Sequence, residues 1–294
     1  QHLVVRDAEA EGVDLRPGRE RCLELLLEGL QVGRLLRGRR EAELAAVAVA
    51  DAAAARTAAG AAEKAGVAVL LADLPAPWLL AAADAVRLPV MNIGQGADAL
   101  RQQDCRRNVL HTTPSERMRT DALAQALVAR RWNKVLMLSG PGPDDGPRSA
   151  TALASLQRYG LKLVANRPFK LSADPREREL ANTRLLTQGD YDVVWVVDSD
   201  GEFALTLPFR TALPRPVVGD AGLVALAWSP KLERFGAPQV TRRLVKAVGR
   251  PMGTHDWSAW IAGKVLVTAA VAAPNGPTAA FQKALVEADV DGSK

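Results

Sequence analysis

The stretch from Gly66 to Leu138 decides the fold; it reads GVAVLLADLPAPWLLAAADAVRLPVMNIGQGADALRQQDCRRNVLHTTPSERMRTDALAQALVARRWNKVLML. It opens with a short apolar strand at Val67–Leu71, which runs into a loop broken by prolines and then into an Ala-rich helix. A second apolar strand, Val90–Ile93, runs into Gly94-Gln95-Gly96, and after another helix a third strand follows at Lys134–Leu138. Strands that alternate with helices in this way predict a parallel sheet covered by helices on both faces.

The same alternation continues on both sides of this stretch. Strands are predicted at Leu44–Val49, Val67–Leu71, Val90–Ile93, Lys134–Leu138, Leu161–Ala165, Val193–Val197 and Val217–Val218. Helices are predicted at Ala53–Ala65, Pro77–Val86, Ser115–Arg131, Arg148–Tyr159, Pro175–Thr187, Gly201–Ala212, 256–272 and 277–288, and one more begins near Arg19. Open parallel sheets bind ligands outside the carboxyl ends of their strands, so the loops there are expected to surround one site.

Length and charge narrow the class of protein. A chain of 294 residues is long enough for two lobes of about 100–150 residues each. The net charge of +5 suits an anionic ligand, and an Arg-rich surface explains it equally well. The basic clusters Arg37–Arg40 and Arg130–Arg131 are short and lack interleaved aromatic residues, which argues against nucleic-acid binding. No apolar run of about 18 residues occurs, so no membrane-spanning helix is predicted.

Catalytic and metal-binding motifs find little support in this sequence. The three histidines, at positions 2, 111 and 255, lack metal-ligand spacing, and His111 is expected to be structural. Neither a phosphate-binding G-x-x-x-x-G-K-[ST] loop nor a G-x-G-x-x-G fingerprint after a strand is present. Acidic pairs at Asp144-Asp145 and at Asp198 with Asp200 are weak hints of a metal site. We therefore expect neither an enzyme nor a metalloprotein.

Several segments together resemble a known family. The crossover Asn108–Ser115, NVLHTTPS, follows the second strand and its glycine loop and is similar to the "RT-x-P-S" crossover of the type I periplasmic binding proteins, the branched-chain amino-acid receptors of ABC transporters. Ala99–Leu127, together with the later GRPM and DWSAW segments, resembles the branch associated with pyrroloquinoline-quinone (PQQ)-dependent alcohol dehydrogenase systems. The resemblance covers most of Gly66–Val271.

The resemblance implies a fold and a function. The implied fold is α/β of the periplasmic binding protein type I, with two Rossmann-like lobes whose parallel sheets surround a ligand cleft. Lobe 1 is expected at 1–112 with 228–275, and lobe 2 at 113–227 with 276–294. The implied protein is a monomer that captures PQQ in the periplasm by lobe closure and delivers it to an ABC permease. Two alternatives stay open: a receptor for a branched-chain amino acid or another small molecule, and a non-transport accessory or sensor protein of an alcohol dehydrogenase.

In lobe 1, the resemblance places ligand contacts in the loops after the strands. Where amino-acid receptors carry serine hydroxyls, this chain has Pro75-Ala76-Pro77-Trp78, so Trp78 is expected either to stack on a planar ligand or to pack a helix. Asn92 and Gln95 have amides suited to carbonyl or carboxylate groups. Arg16 matches a position that contacts ligand in some members of the family.

In lobe 2, the central candidate is Arg148, at the start of a helix and able to bind a carboxylate through two N–H groups. Asp220 is an acid that could hold an amino group or, with an anionic ligand, orient Arg148. The remaining candidates in this half of the cleft are Ser115 in the crossover, Asp198 at a strand end, and Trp195 and Trp228, for which core packing is the alternative.

The termini and cysteines bear on the compartment. The chain begins at Gln1 rather than Met, as expected of a mature periplasmic protein whose signal peptide has been removed, although a trimmed chain would look the same. Cys22 and Cys105 are the only cysteines. In an exported protein such a pair suggests a disulfide, and two free thiols are the alternative.

Overall fold

The computed structural model describes residues 2–7, 44–273 and 278–291. Its strands are β1 His2–Asp7, β2 Leu44–Val49, β3 Leu70–Asp73, β4 Val90–Asn92, β5 Val109–His111, β6 Lys134–Ser139, β7 Lys162–Pro168, β8 Val193–Val197 and β9 Val217–Gly219. Its helices are α1 Ala52–Lys64, α2 Ala76–Asp84, α3 Glu116–Ala129, α4 Asp145–Arg158, α5 Arg178–Ala181, α6 Thr183–Leu186, α7 Glu202–Thr206, α8 Ala237–Val248, α9 Thr254–Ala272 and α10 Thr278–Glu287. Short 3-10 turns lie at Asp98–Arg101, Pro175–Glu177 and Leu207–Phe209.

The chain divides into two compact units, each built on its own parallel sheet. The first comprises Gln1–Pro114 and Ala227–Lys294, and the second Ser115–Leu226. In the first unit, five strands lie in the order β2-β1-β3-β4-β5, and in the second, four strands lie in the order β7-β6-β8-β9. Every neighbouring pair is parallel. The predicted class, α/β with parallel sheets, is confirmed.

Helices cover both faces of the two central strands in the second unit's sheet, because β6 and β8 are apolar on both faces. All five residues of β8 are buried, as are the central four of β6. One face packs with residues of α3 and α4, including Leu127 and Leu156, and the other with residues of α7, including Phe203. A strand buried on both sides reads as a continuous apolar run, which is why this part of the sequence was easy to interpret.

Residues 278–291 belong to the first unit, whereas the resemblance had implied that the segment 276–294 is part of the second. Phe281 and Leu285 of α10 are buried in one cluster with Leu71 of β3, with Val69 directly before that strand, and with Ala262 of α9. The apolar face of α10 is thus packed within the first unit. Along the described part of the chain, no helix combines the length and apolar character needed to cross a membrane.

Some predicted elements differ from the observed ones. The helix predicted over Pro175–Thr187 is a 3-10 turn followed by two short helices, because Asn182 is extended and its side chain accepts a hydrogen bond from Leu185 N–H, starting α6 anew. The helix predicted over Gly201–Ala212 likewise ends early and continues as a 3-10 turn that contains Pro208. Three elements were not predicted: β1, β5 and α8.

Candidate functional site

In the second unit, polar side chains gather in a hollow at the carboxyl ends of β8 and β9. It is lined by Glu116, Arg119, Arg148, Trp195 and Asp220, together with small and apolar neighbours. We call these five residues the arginine hollow. The first turns of α3 and α4 supply Glu116, Arg119 and Arg148; Trp195 lies in β8, and Asp220 directly follows β9. Of these five, only Arg148, Trp195 and Asp220 were candidates from the sequence.

Arg148 and Asp220 form the tightest ion pair in the hollow. Arg148 Nη2 donates to Asp220 Oδ1 at 2.5 Å, and the other oxygen, Oδ2, accepts from the backbone N–H of Asp198 at 2.7 Å. The side chains of Arg148 and Asp220 are 21% and 18% exposed. Burial alone would lower the pKa of Arg148, but the hydrogen bond to Asp220 and the nearby carboxylates outweigh it and raise this pKa. Arg148 therefore keeps its charge.

Glu116 lies between the two arginines of the hollow. Its Oε1 accepts from Arg119 Nη1 at 2.9 Å, and its Oε2 is 3.8 Å from Arg148 Nε. Arg119 also donates from Nε to the carbonyl of Ala225 at 3.3 Å, which fixes its position against the loop after β9. Two guanidinium groups and two carboxylates thus alternate along the wall of the hollow.

Asp145 lies next to the hollow, with Oδ1 3.9 Å from Arg148 Nη1. Its side chain is 1% exposed, and it holds two loops together: Oδ2 accepts from Gly142 N–H at 2.9 Å and Oδ1 from Ser199 N–H at 2.8 Å. Gly142 follows β6 and Ser199 follows β8. The helix predicted to begin at Arg148 begins at Asp145 and takes in Pro147, which a first turn tolerates.

Gly219 places Asp220 by a backbone conformation that other residues rarely adopt. Its φ is +106°, and a Cβ at this position would lie 2.2 Å from the Val196 carbonyl oxygen and 2.9 Å from Trp195 Cδ1. Only glycine lets the end of β9 approach β8 this closely. Because of this close approach, the backbone N–H of Asp220 donates a hydrogen bond to the Val196 carbonyl, with an N···O distance of 3.0 Å.

Two other candidates of the second half, Ser115 and Asp198, have side chains that cap helices. Ser115 is 3% exposed, and its Oγ accepts from Met118 N–H at 3.2 Å, so it caps α3. Asp198 is 4% exposed, and its Oδ2 accepts from Ala204 N–H at 2.7 Å, so its carboxylate caps α7. Its backbone N–H donates to Asp220 Oδ2. Burial is the main cause that raises the pKa of Asp198, with Asp200 adding to it.

The two tryptophans behave as core residues. Trp195 is 2% exposed; it packs among Leu127, Val197 and Val218, and forms part of the floor of the hollow. Trp228 is 4% exposed and lies in the first unit, where it packs against α8 and α9. Of the two roles left open for Trp228, ligand stacking and core packing, its burial favours core packing.

In the first unit, Asn92 builds the loop after β4 instead of facing a ligand. The residue is fully buried; its Oδ1 accepts from the N–H groups of Gly94 and Gln95, at 3.3 and 2.9 Å. Its Nδ2 donates to the Gln95 carbonyl at 2.7 Å and lies 3.0 Å from His111 Nδ1. The Gln95 side-chain oxygen accepts from Ala97 N–H at 3.0 Å, which leaves its –NH2 group as the part suited to a ligand.

His111 is held neutral by this surrounding. Burial, with the positive charge of Arg101 as the second cause, lowers the pKa of His111 from 6.5 to about 4. Because Asn92 Nδ2 is a donor, His111 Nδ1 is assigned as the acceptor. This agrees with the structural role expected for His111.

A second polar cluster at the carboxyl edge of the first unit's sheet escaped the sequence analysis. His255, in the first turn of α9, has Nε2 3.0 Å from Oδ2 of Asp73, the last residue of β3. A Cβ on Gly94 would lie 2.0 Å from Asp73 Oδ1, so this loop passes close over the pair. The available signal was Asp73 itself, an acid directly after the apolar run, but β3 was predicted to end at Leu71.

Of the remaining candidates in the first half, the structure describes Trp78 and Cys105. Trp78, in the first turn of α2, is partly buried and packs against the core cluster that includes Leu74 and Leu79, so it serves as a packing residue. Arg16 and Cys22 lie outside the described residues. Cys105 is exposed and is a free thiol among the described residues, so its disulfide with Cys22 stays a prediction. Within residues 44–273 and 278–291, no cluster of His, Cys, Asp or Glu suits a metal ion.

Similarity searches give a fold but no sequence family. No protein-family model matches the sequence, and no curated protein matches it. A leucine-, isoleucine-, valine-, threonine- and alanine-binding protein from Brucella ovis in its closed conformation has a TM-score of 0.77 at 13% identity, over 98% of this chain and 83% of the other.

Two further solved structures are similar to the same degree. A substrate-binding protein from Desulfitobacterium hafniense in complex with Leu has a TM-score of 0.72 at 14% identity, over 97% of this chain and 88% of the other. A solute-binding protein from R. palustris in complex with benzoate has a TM-score of 0.70 at 16% identity, over 97% and 84%. The chain has the α/β fold of the type I periplasmic binding proteins of ABC transporters.

Proposed function

We propose that this chain is a non-enzymatic, periplasmic solute-binding protein that captures a small carboxylate-bearing compound and passes it to an ABC permease. The fold supports this, since the similar structures are those of solute receptors, two of them in complex with benzoate and Leu. The two units would close on the ligand, because a closed state that gains contacts from both is selected by binding.

Arg148 carries the proposal. It lies at the carboxyl edge of a parallel sheet, where such sheets bind ligands, and it is charged and only 21% exposed. A guanidinium has five N–H groups, and the short bond to Asp220 uses only Nη2. The contacts of Nη1 with Asp145 and of Nε with Glu116, at 3.9 and 3.8 Å, are too long for hydrogen bonds. Arg148 is thus oriented by Asp220 while it retains donors for a carboxylate.

PQQ is the specific ligand that we propose. The reason is the sequence resemblance to the branch associated with PQQ-dependent alcohol dehydrogenase systems, together with the chemistry of PQQ, a planar quinone with three carboxylates. Buried carboxylates need cationic or strongly dipolar partners, and Arg148 and Arg119 in the hollow are two such partners. Because Trp78 packs in a core, the case for PQQ depends on its carboxylates more than on stacking.

An amino-acid receptor is the second candidate, and one observation favours it. The hollow alternates two guanidiniums with two carboxylates, and such a balanced set suits a zwitterion. Against it, Asp220 already accepts hydrogen bonds at both oxygens, from Arg148 and from Asp198 N–H. A ligand ammonium would have to share these oxygens.

A calorimetric titration with a panel of ligands tests the proposal. PQQ, benzoate and leucine are added separately to the purified chain at moderate ionic strength. We expect one PQQ per chain with sub-micromolar affinity, and no heat from leucine. Leucine binding without PQQ binding would instead establish the amino-acid receptor, and the absence of heat from all three would overturn the proposal of a carboxylate receptor.

A further inference from the structure

Glu116 is a carboxylate of the protein itself that lies between two arginines. Its two oxygens face different guanidiniums, Arg119 at 2.9 Å and Arg148 at 3.8 Å. We propose that Glu116 is an internal competitor of the ligand's carboxylate, and that its negative charge sets both the affinity of the hollow and its choice among ligand charges. The inference rests on the proposed function, since it concerns the same hollow.

The position of Glu116 follows from local sequence. Ser115 caps α3, and Glu116 is the next residue, in the first turn. A carboxylate there is favoured by the partial positive charge of the helix N-terminus. Because Arg119 follows three residues later, on the same face of the helix, the two side chains meet. A purely local role for Glu116 is therefore the alternative that the experiment has to separate.

The two carboxylates of the hollow differ in how many hydrogen bonds they accept. Glu116 accepts fewer than Asp220 does, so it is the one that a ligand carboxylate would displace. Asp220 is fixed on both sides, by Arg148 at 2.5 Å and by Asp198 N–H at 2.7 Å. The Glu116 side chain, among the described residues, accepts one hydrogen bond, from Arg119. It is 21% exposed and can turn towards water. A ligand carboxylate that approaches the two guanidiniums would displace Glu116 and leave Asp220 in place.

The charge of Glu116 then opposes a carboxylate ligand. Like charges within about 4–6 Å in a partly desolvated site repel one another appreciably, because the effective dielectric constant is well below that of water. A neutral glutamine at this position would keep an oxygen acceptor for Arg119 Nη1 and remove the repulsion. Glu116→Gln is accordingly expected to bind PQQ more tightly, by roughly 5- to 50-fold.

The opposite result is expected for a ligand with an ammonium group. A cationic group is attracted by Glu116, so loss of the charge weakens its binding by a similar factor. Glu116 would therefore weaken the binding of polyanions more than that of ligands that carry fewer negative charges. Removal of the Glu116 charge should raise the affinity for PQQ more than the affinity for benzoate, because three carboxylates are repelled more strongly than one.

The experiment titrates PQQ and benzoate into the parent, Glu116→Gln, Glu116→Ala and the control Glu179→Gln. Glu179 is an exposed glutamate in the first turn of α5 that does not line the hollow, so its replacement makes the same change in net charge. Tighter PQQ binding by Glu116→Gln, with Glu179→Gln equal to the parent, supports the proposal. The gain should shrink at high salt.

Two results would overturn it and can be told apart. If the parent binds PQQ and both Glu116 variants bind it equally or more weakly, Glu116 is a positioning or capping residue and not a competitor. Thermal unfolding decides between these two roles, because a capping role also lowers the midpoint of Glu116→Ala. If the parent binds neither PQQ nor benzoate, the proposed function itself fails, and the inference with it.

Discussion

Arg148 and Asp220, 72 residues apart in sequence, are joined by a 2.5 Å bond between Nη2 and Oδ1 at the carboxyl edge of the second unit's sheet. Asp220 is held in turn by the N–H of Asp198 at the end of β8. The pair is therefore a fixed feature of the sheet edge and not a mobile surface contact. It orients the guanidinium that we propose as the anchor of a ligand carboxylate.

Replacement of Arg148 by alanine should weaken ligand binding. It removes a charge-assisted hydrogen bond to the ligand and leaves a carboxylate poorly paired, at a cost of ~2–4 kcal/mol, which corresponds to an affinity about 30- to 900-fold lower. The matched control is Arg158→Ala, since Arg158 lies on the same helix, α4, and pairs with Asp121 away from the hollow. Arg148→Ala that binds within a factor of two of the parent would show that another group holds the carboxylate.

Asp145 should be needed for the shape of the hollow. Asp145→Asn presents an –NH2 group to a backbone N–H of Gly142 or Ser199, so one buried donor loses its acceptor. We expect a loss of about 1–3 kcal/mol in the free energy of unfolding of this unit. Asp144 is the neighbouring, exposed acid, and Asp144→Asn should change stability by less than ~0.5 kcal/mol. Equal urea midpoints for the two variants would contradict the structural role.

Gly219 should tolerate no side chain. In Gly219→Ala the new Cβ would meet the Val196 carbonyl at 2.2 Å, in a backbone conformation with φ of +106°. Overpacking and strain together are expected to cost about 2–4 kcal/mol. The control is Gly60→Ala, in the interior of α1 with nothing within 4 Å of the added carbon, which should instead stabilise by roughly 0.5–1 kcal/mol. Thermal unfolding of both variants checks the contrast.

Protonation of His111 should lower the free energy of unfolding of the first unit in mild acid. Its pKa is lowered to about 4 in the folded state and is ~6.5 in the unfolded chain. Above pH 6.5 both states are neutral at this residue; as the pH falls from 6.5 to 4, the unfolded chain gains a proton first, so stability is lost across this window. With partial burial taken into account, the loss is about 1–3 kcal/mol.

His111→Asn isolates this effect. The asparagine oxygen can accept from Asn92 Nδ2 as the Nδ1 atom of His111 does, but the side chain does not titrate. Urea midpoints of the variant should fall less than those of the parent between pH 6.5 and 4. Parallel curves for the two proteins would show that other groups cause the acid sensitivity.

The second unit was largely readable from the sequence because its central strands, β6 and β8, are apolar on both faces. Val193–Val197 was predicted with its observed bounds, as was Leu44–Val49 in the first unit. The missed helix α8 had readable signals, with Gly236 and Gly249 at its ends and Val240 and Leu244 buried four residues apart. The strand β5 has three residues, too few to show a period.

The site was harder to read than the fold. Arg148 was found because a helix was predicted to begin there, and Asp220 because it closely follows a predicted strand. Arg119 and Glu116 were missed since an i, i+3 pair of opposite charges on a helix usually lies on a solvated face. One physical feature is common to Asn92, Ser115 and Trp228: each side chain is buried and stabilises its own loop, helix end or core.

The most direct test of the central claim is an equilibrium titration of PQQ into the parent protein, followed by Trp fluorescence, with Arg148→Ala and Arg158→Ala alongside. The account predicts saturation at one PQQ per chain with sub-micromolar affinity for the parent and Arg158→Ala, and binding weaker by at least tenfold for Arg148→Ala. Equal affinity in all three proteins, or no saturable binding to the parent, would contradict it.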